Sequence, residues 1–196
     1  MWRDVITSSE LEFLAENSLI TITPNFRGEK IKTISGTFGP FKPNREISIP
    51  LWLAFQLKKN KKCRIRIPSF LDENNLKIVI EYEKNNKNSF YHLVPFFYEI
   101  SNMLFNKAED DFLDIKKISG LVQDISTIRN EKIMNFLKNN IKDDELCVKL
   151  NELNDREIEL IRPLLKEIFP FRLNIFLQQY RNPNENILFV QDNNEE

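Results

Sequence analysis

Apolar positions follow two different periods along the chain. Up to about residue 67 they recur mostly every second position in short runs; beyond it they recur every third or fourth. Thr7 and Glu10 form a capping-box pattern, in which hydroxyl and carboxylate satisfy each other's free backbone donors. Leu11, Leu14 and Ala15 follow at helical spacing, and Asn17-Ser18 ends that short helix. Leu19-Ile20-Thr21-Ile22-Thr23 alternates, is β-branched, and stops at Pro24, which predicts a strand. Glu29 to Ser35 repeats the pattern with Ile31 and Ile34, and Glu46-Ile47-Ser48-Ile49 gives a third strand. Gly36 to Pro43 reads as a turn-rich loop carrying Phe38 and Phe41. Pro50 fits the first position of a helix, where its missing amide removes no bond, with Leu51, Leu53, Ala54 and Leu57 behind it. Cys63 to Ile67 alternates again and predicts a last strand with basic residues outward.

The remainder reads as helical. Leu71 to Glu83 carries Leu76, Ile78, Val79 and Tyr82, and Asn85 to Ser89 is a polar connector. Pro95 opens the next helix, with Phe96, Phe97, Ile100, Met103 and Leu104 on its stripe. Glu109-Asp110-Asp111 breaks it. Ile115 to Phe136 is the longest periodic stretch, through Ile118, Leu121, Val122, Ile125, Ile128 and Ile133. After a break at Asp143-Asp144, Cys147, Leu150 and Leu153 form a short amphipathic piece. Asn154 caps a brief helix with Glu157 at its third position, and Pro163 starts the last helix, kinked at Pro170. The expected fold is α+β, mainly α. A small β-rich domain with a short N-terminal helix spans residues 1–67, a helical-bundle domain spans 68–181, and 182–196 is a flexible tail.

Composition narrows the chemistry. The 28 basic and 29 acidic residues leave a formal charge of −1, so any polyanion binding must come from a local patch. The 16 Phe argue for a packed core, and 4 Gly are too few for several phosphate-cradling turns. Gly36-Thr-Phe-Gly39 lacks both the third glycine of a dinucleotide fingerprint and the Lys-Ser/Thr of a P-loop. His92 is the only histidine: a nucleophilic triad would have to use it, no local nucleophile signature accompanies it, and as a metal ligand it lacks histidine partners. Cys63 and Cys147 read as reduced thiols of an intracellular protein, since Met1-Trp2-Arg3-Asp4 lacks an apolar signal core. No apolar run is long enough to span a membrane. No enzyme activity and no cofactor are expected.

Several residues admit two readings. Lys58, Lys59, Lys61, Lys62, Arg64 and Arg66 form a basic stretch without an internal acid. It can neutralise nucleic-acid phosphates, or it can be a solvated or ion-paired face toward an acidic partner; the second is preferred. Phe38 and Phe41 either recognise a partner or cover the β domain. Trp52 is read as core rather than as an interface anchor. Cys63, between Lys62 and Arg64, is read as a core-facing strand residue rather than a reactive thiol. Glu109, Asp110, Asp111 and Asp114 read as an acidic linker before a helix N-terminus, without the ligand spacing of a calcium loop.

The first third resembles the second Psf-type subunit of the GINS complex. The likeness is carried by Glu12-Phe13-Leu14-Ala15-Glu16, Leu19-Ile20-Thr21-Ile22, Pro24-Asn25-Phe26, Gly39-Pro40-Phe41 with Pro43, Pro50-Leu51-Trp52-Leu53-Ala54, Leu57-Lys58 and Lys62-Cys63-Arg64. Further on, Pro95, Asn106-Lys107-Ala108, Leu121-Val122, Asp124, Arg129, Lys132 and Glu157-Ile158 stay collinear with that family. Phe70 and Ser126 stand where the family usually has Trp, and Pro163 and Pro170 are atypical. The resemblance implies a non-catalytic nuclear scaffold in a hetero-oligomer with three sister GINS subunits. It implies that the assembly joins the MCM hexameric ATPase and the Cdc-forty-five factor in DNA replication, and touches DNA through that assembly. The rival function is a direct nucleic-acid-binding module using residues 58–66. Phe38, Phe41, Phe97, Leu104, Ile125 and Phe176 are the candidate partner-facing residues.

Overall fold

The computed structural model describes residues 7–87, 89–140, 152–163 and 166. The piece around Cys147 and Leu150, the last helix with its Pro170 kink, Phe176 and the tail lie outside the described residues. The chain runs α1 (Ser8–Ala15), β1 (Leu19–Pro24), β2 (Ile31–Thr33), β3 (Gly36–Phe38), β4 (Ile47–Pro50), α2 (Leu51–Lys59), β5 (Cys63–Ile65), α3 (Glu73–Asn85), α4 (Phe97–Lys107) and α5 (Ile115–Asn140). Single 3₁₀ turns lie at Ser69–Leu71 and Glu109–Asp111. Residues 155–163 are helical. The architecture is α+β and mainly α, as expected.

The capping box at α1 forms as the sequence predicts: the Glu10 carboxylate accepts from the Thr7 amide at 2.6 Å, and the Thr7 hydroxyl accepts from the Glu10 amide. Alternation in β1 turns Ile20, Ile22 and Pro24 inward. β1 is the middle of a three-stranded antiparallel sheet ordered β4-β1-β5, with Ile20 opposite Ile49 and Ile22 opposite both Ile47 and Ile65. That register places the branched side chains of all three strands on one buried face.

Several local expectations differ from the structure. The loop predicted from Gly36 begins as β3, paired with β2 in a two-stranded hairpin apart from the main sheet. The Thr33 hydroxyl donates to the Gly36 carbonyl at 2.8 Å and closes its turn. Ile34, expected in a strand, projects fully exposed from that tip. Pro50 ends β4 in an extended conformation and caps α2, which starts one residue later than predicted. Phe96 adopts a left-handed φ of 56° and turns the chain into α4, so that helix starts at Phe97 rather than at Pro95. Gly39 is required where it stands: its φ is +114°, and a Cβ there would lie 3.1 Å from the Lys30 backbone.

One hydrophobic cluster runs through both regimes of the sequence. It joins Ala15, Ile22, Ile49, Leu51 and Phe55 to Leu71, Leu76, Phe97, Leu104, Val122 and Ile125. A smaller cluster, Phe90, Ile133, Leu137 and Ile161, packs the far end of α5 against the 155–163 helix. Among the described residues, no helix is long and apolar enough to cross a membrane.

Candidate interaction surfaces

The basic stretch sits on the end of α2 and the edge strand β5. The structure divides its six cations. Lys58 pairs with Asp111 at 2.7 Å and is nearly buried. Arg66 pairs with Glu46 at 2.5 Å in solvent, and Lys62 lies over the Phe26 ring. Lys59, Lys61 and Arg64 are exposed and have no ionic partner among the described residues. Between them and the Glu109–Asp111 turn lies a cleft of about 1040 Å³, lined among others by Phe55, Arg64, Asp110 and Leu113. The acidic linker is therefore part of this surface. Asp111 also accepts from the Ile65 amide at 2.9 Å, satisfying an outward backbone donor of the edge strand. Asp114 accepts from the Lys117 amide and caps α5.

Cys63 is buried, and its thiol faces the Ala54 carbonyl. Burial pushes it up to about 11, outweighing the opposite pull of Lys58. It is the core-facing residue expected, and no activated nucleophile. His92 is exposed and its Nδ1 meets the Glu152 carboxylate. Among the described residues, no three His, Cys, Asp or Glu side chains gather as metal ligands.

The candidate partner-facing residues fall mostly in the chain's own core. Phe41 and Phe97 are 1% exposed and Leu104 and Ile125 are 0% exposed, so they have no area left to give a partner. Phe41 stacks on Phe26 with ring centroids 5.3 Å apart, which decides its two readings in favour of covering the β region. Phe38 is half-buried against the same core, and Trp52 is partly buried there too. Helical spacing located these stripes but could not say what covers them. The large apolar side chains left exposed among the described residues are others, Phe13, Leu19, Ile78, Leu113, Met134, Ile158 and Leu160 among them.

A buried charge network was not foreseen. Arg129 on α5 is wholly buried. Its Nε and Nη2 donate to the two oxygens of Glu157 at 2.7 and 2.8 Å, and its Nη1 donates to Glu83 at 2.5 Å. The same guanidinium donates to the Tyr91 and Glu152 carbonyls at 2.9 Å each. Lys132 completes the pairing on Glu83, and the Tyr98 hydroxyl donates to Glu157 at 2.9 Å. Two cations face two carboxylates, so the buried charge balances and nearly every donor and acceptor is used. The signal was present in the sequence. Val122, Ile125, Arg129 and Lys132 continue one stripe at three- and four-residue spacing, as do Leu76, Val79 and Glu83 on α3.

The sequence family described as the PSF2 N-terminal domain matches residues 7–66, and the one described as the GINS complex protein helical bundle domain matches residues 70–176. The chain belongs to the PSF2 family of GINS proteins. A Xenopus laevis relative, "DNA replication complex GINS protein PSF2", is 33% identical over 180 residues, covering 91% of this chain and 96% of its own length. The Homo sapiens protein of the same name is 32% identical over 172 residues, covering 86% and 93%. The Schizosaccharomyces pombe relative is 31% identical over 160 residues, covering 81% and 85%.

Seen as a PSF2-family chain, the residues that carried the resemblance have structural work. Gly39-Pro40-Phe41 closes the hairpin and sends a ring into the core, and Pro50 to Ala54 turns the sheet into α2. Arg129, Lys132 and Glu157 are three members of the buried network. Glu99 on α4 is also buried, and one of its oxygens has no hydrogen-bond partner among the described residues. Burial raises its carboxyl above the ordinary range, against a smaller lowering by Arg156.

Proposed function

We propose that this chain is a non-catalytic scaffold subunit of a four-chain GINS assembly acting in DNA replication in the nucleus. Its partners in this proposal are three sister subunits. Through the assembly it joins the MCM hexameric ATPase and the Cdc-forty-five factor, and DNA is met there rather than by this chain alone. The observation that carries the proposal is the pair of collinear family matches over residues 7–66 and 70–176, on a chain that spans nearly the whole length of relatives named as DNA replication complex proteins.

The mechanism is surface burial. Ile78 on α3, Met134 on α5 and Ile158 and Leu160 on the 155–163 helix remain exposed after the core and the buried network have formed. Phe13 and Leu19 do the same beside α1. These residues support two subunit-facing patches in place of the core positions named from the sequence. A permanent subunit interface buries on the order of 2,000 Å² or more and is largely apolar. The test is co-expression with the three sister chains, then size-exclusion chromatography with mass determination. An equimolar four-chain complex is expected, and Leu160→Asp or Phe13→Asp should release the chain from it while leaving its helical content intact. A well-behaved monomer that ignores those chains refutes the scaffold role.

A further inference from the structure

The cleft beside β5 brings exposed cations and apolar side chains together. Its rim carries Lys59, Lys61 and Arg64, all exposed and free of ionic partners among the described residues. Leu113 stands at its edge with its whole side chain in solvent, and Phe112 and Phe55 supply apolar floor. At the far wall the chain has seated a carboxylate of its own. Asp111 bridges Lys58 and the Ile65 amide, so the edge of β5 is already shown to receive an acidic side chain.

We propose that this cleft docks a short extended segment of a partner protein, one that alternates acidic residues with a large apolar anchor. The acids meet Lys59, Lys61 and Arg64, and the anchor lies against Leu113 and Phe112. The charges on the cleft favour a peptide over a nucleic acid. Asp110 lines the cleft without an ion-pair partner among the described residues and repels a continuous phosphate backbone, whereas a peptide can place its acids only where cations face it. Leu113 also suits an aliphatic or aromatic anchor, while no exposed ring is offered to stack bases. The rim charges steer the encounter and the apolar contact sets the residence time. The proposal depends on the cleft alone. Loss of four-chain assembly leaves it standing, and loss of peptide binding leaves the scaffold role standing.

The experiment is fluorescence anisotropy with the full chain and four labelled probes. One is a short peptide alternating Glu with Leu and ending in Phe. The second has each Glu replaced by Gln, the third has each apolar residue replaced by Ser, and the fourth is a single-stranded oligonucleotide. The first peptide should bind. The Gln peptide and the combined Lys59→Glu, Lys61→Glu, Arg64→Glu variant should each weaken binding about fivefold or more through the three lost rim pairs, and the Ser peptide should weaken it severalfold through the lost apolar contact. Leu113→Ser, at a solvent-exposed position that folding does not need, should weaken it severalfold. A matched reversal of Lys84 at the end of α3, Lys87 just past it and Lys138 near the end of α5 should change nothing. An oligonucleotide that binds better than the peptide and is lost in the rim variant makes the cleft a nucleic-acid site and overturns the proposal. Peptide binding that is absent, or indifferent to the rim and Leu113 variants, overturns it as well.

Discussion

Replacing Arg129 by Met should be the most damaging single change in the helical region. Met nearly fills the volume and keeps the helix propensity of α5. What it removes is a charge and five hydrogen bonds: two to Glu157, one to Glu83, and one each to the Tyr91 and Glu152 carbonyls. Two buried carboxylates then share Lys132 alone, and Lys132 reaches only Glu83. Breaking a buried pair from one side costs about 3–5 kcal/mol, because the remaining charge is left in a medium that solvates it poorly. For a chain of this size each kcal/mol lowers the melting temperature by about 2–4 °C, so the expected drop is roughly 6–20 °C. A thermal scan of circular dichroism at matched concentrations of the co-purified assembly reads it. Arg129→Lys should fall between wild type and Met, since one ammonium cannot serve both carboxylates in the fork geometry. Glu157→Gln combined with Arg129→Met should lose less than the two single losses added together. A drop of under about 2 °C for Arg129→Met, or strict additivity in that pair, would refute the network as described.

Glu99→Gln should stabilise the protein at neutral pH and do little in acid. The folded carboxyl titrates above its unfolded value, so the native state holds the extra proton, and wild-type stability falls as pH rises through that window; chemical denaturation of both proteins across that range checks it, and parallel profiles would sink the idea. Cys63 should resist alkylation at pH 8 in a Cys147→Ser background until the chain unfolds, because burial holds its thiol near 11; prompt labelling in the native state would count against that burial. Asp111→Asn should destabilise by about 1–3 kcal/mol, from the unpaired Lys58 and the weakened bond to the Ile65 amide, as read by thermal scans.

Most of the elements were legible from residue pattern alone. The Thr7–Glu10 capping box, the alternation of β1 and the long stripe of α5 are local signals, and local chemistry decides them. The parts that were missed depend on contacts distant in sequence. Gly36 and Gly39 punctuate β3 and predict a loop, yet pairing with β2 outweighs that composition. Pattern also showed that Phe97, Leu104 and Ile125 lie on apolar faces without showing that the chain itself covers them. Arg129, Lys132 and Glu83 broke the apolar stripes in plain view, but a charge on a stripe tells nothing until its partner is known. Within the basic stretch, spacing could not separate Lys58, held by an acid of the Glu109–Asp111 turn, from Lys59 and Lys61, which have no ionic partner among the described residues.

The unbroken core across residue 67 bears on how the chain can be handled and lost. Phe55 and Leu51 share packing with Leu71, Leu104 and Ile125, so a cut between β5 and α3 would strip apolar area from both pieces at once. Neither fragment would be a transferable module, and a protease nick there should commit the whole polypeptide to degradation rather than release a working half. The β2–β3 hairpin is the opposite case. It stands outside the main sheet with Ile34 at its tip in water, so an inserted tag or cleavage site belongs there, where a change of length leaves the rest of the molecule untouched.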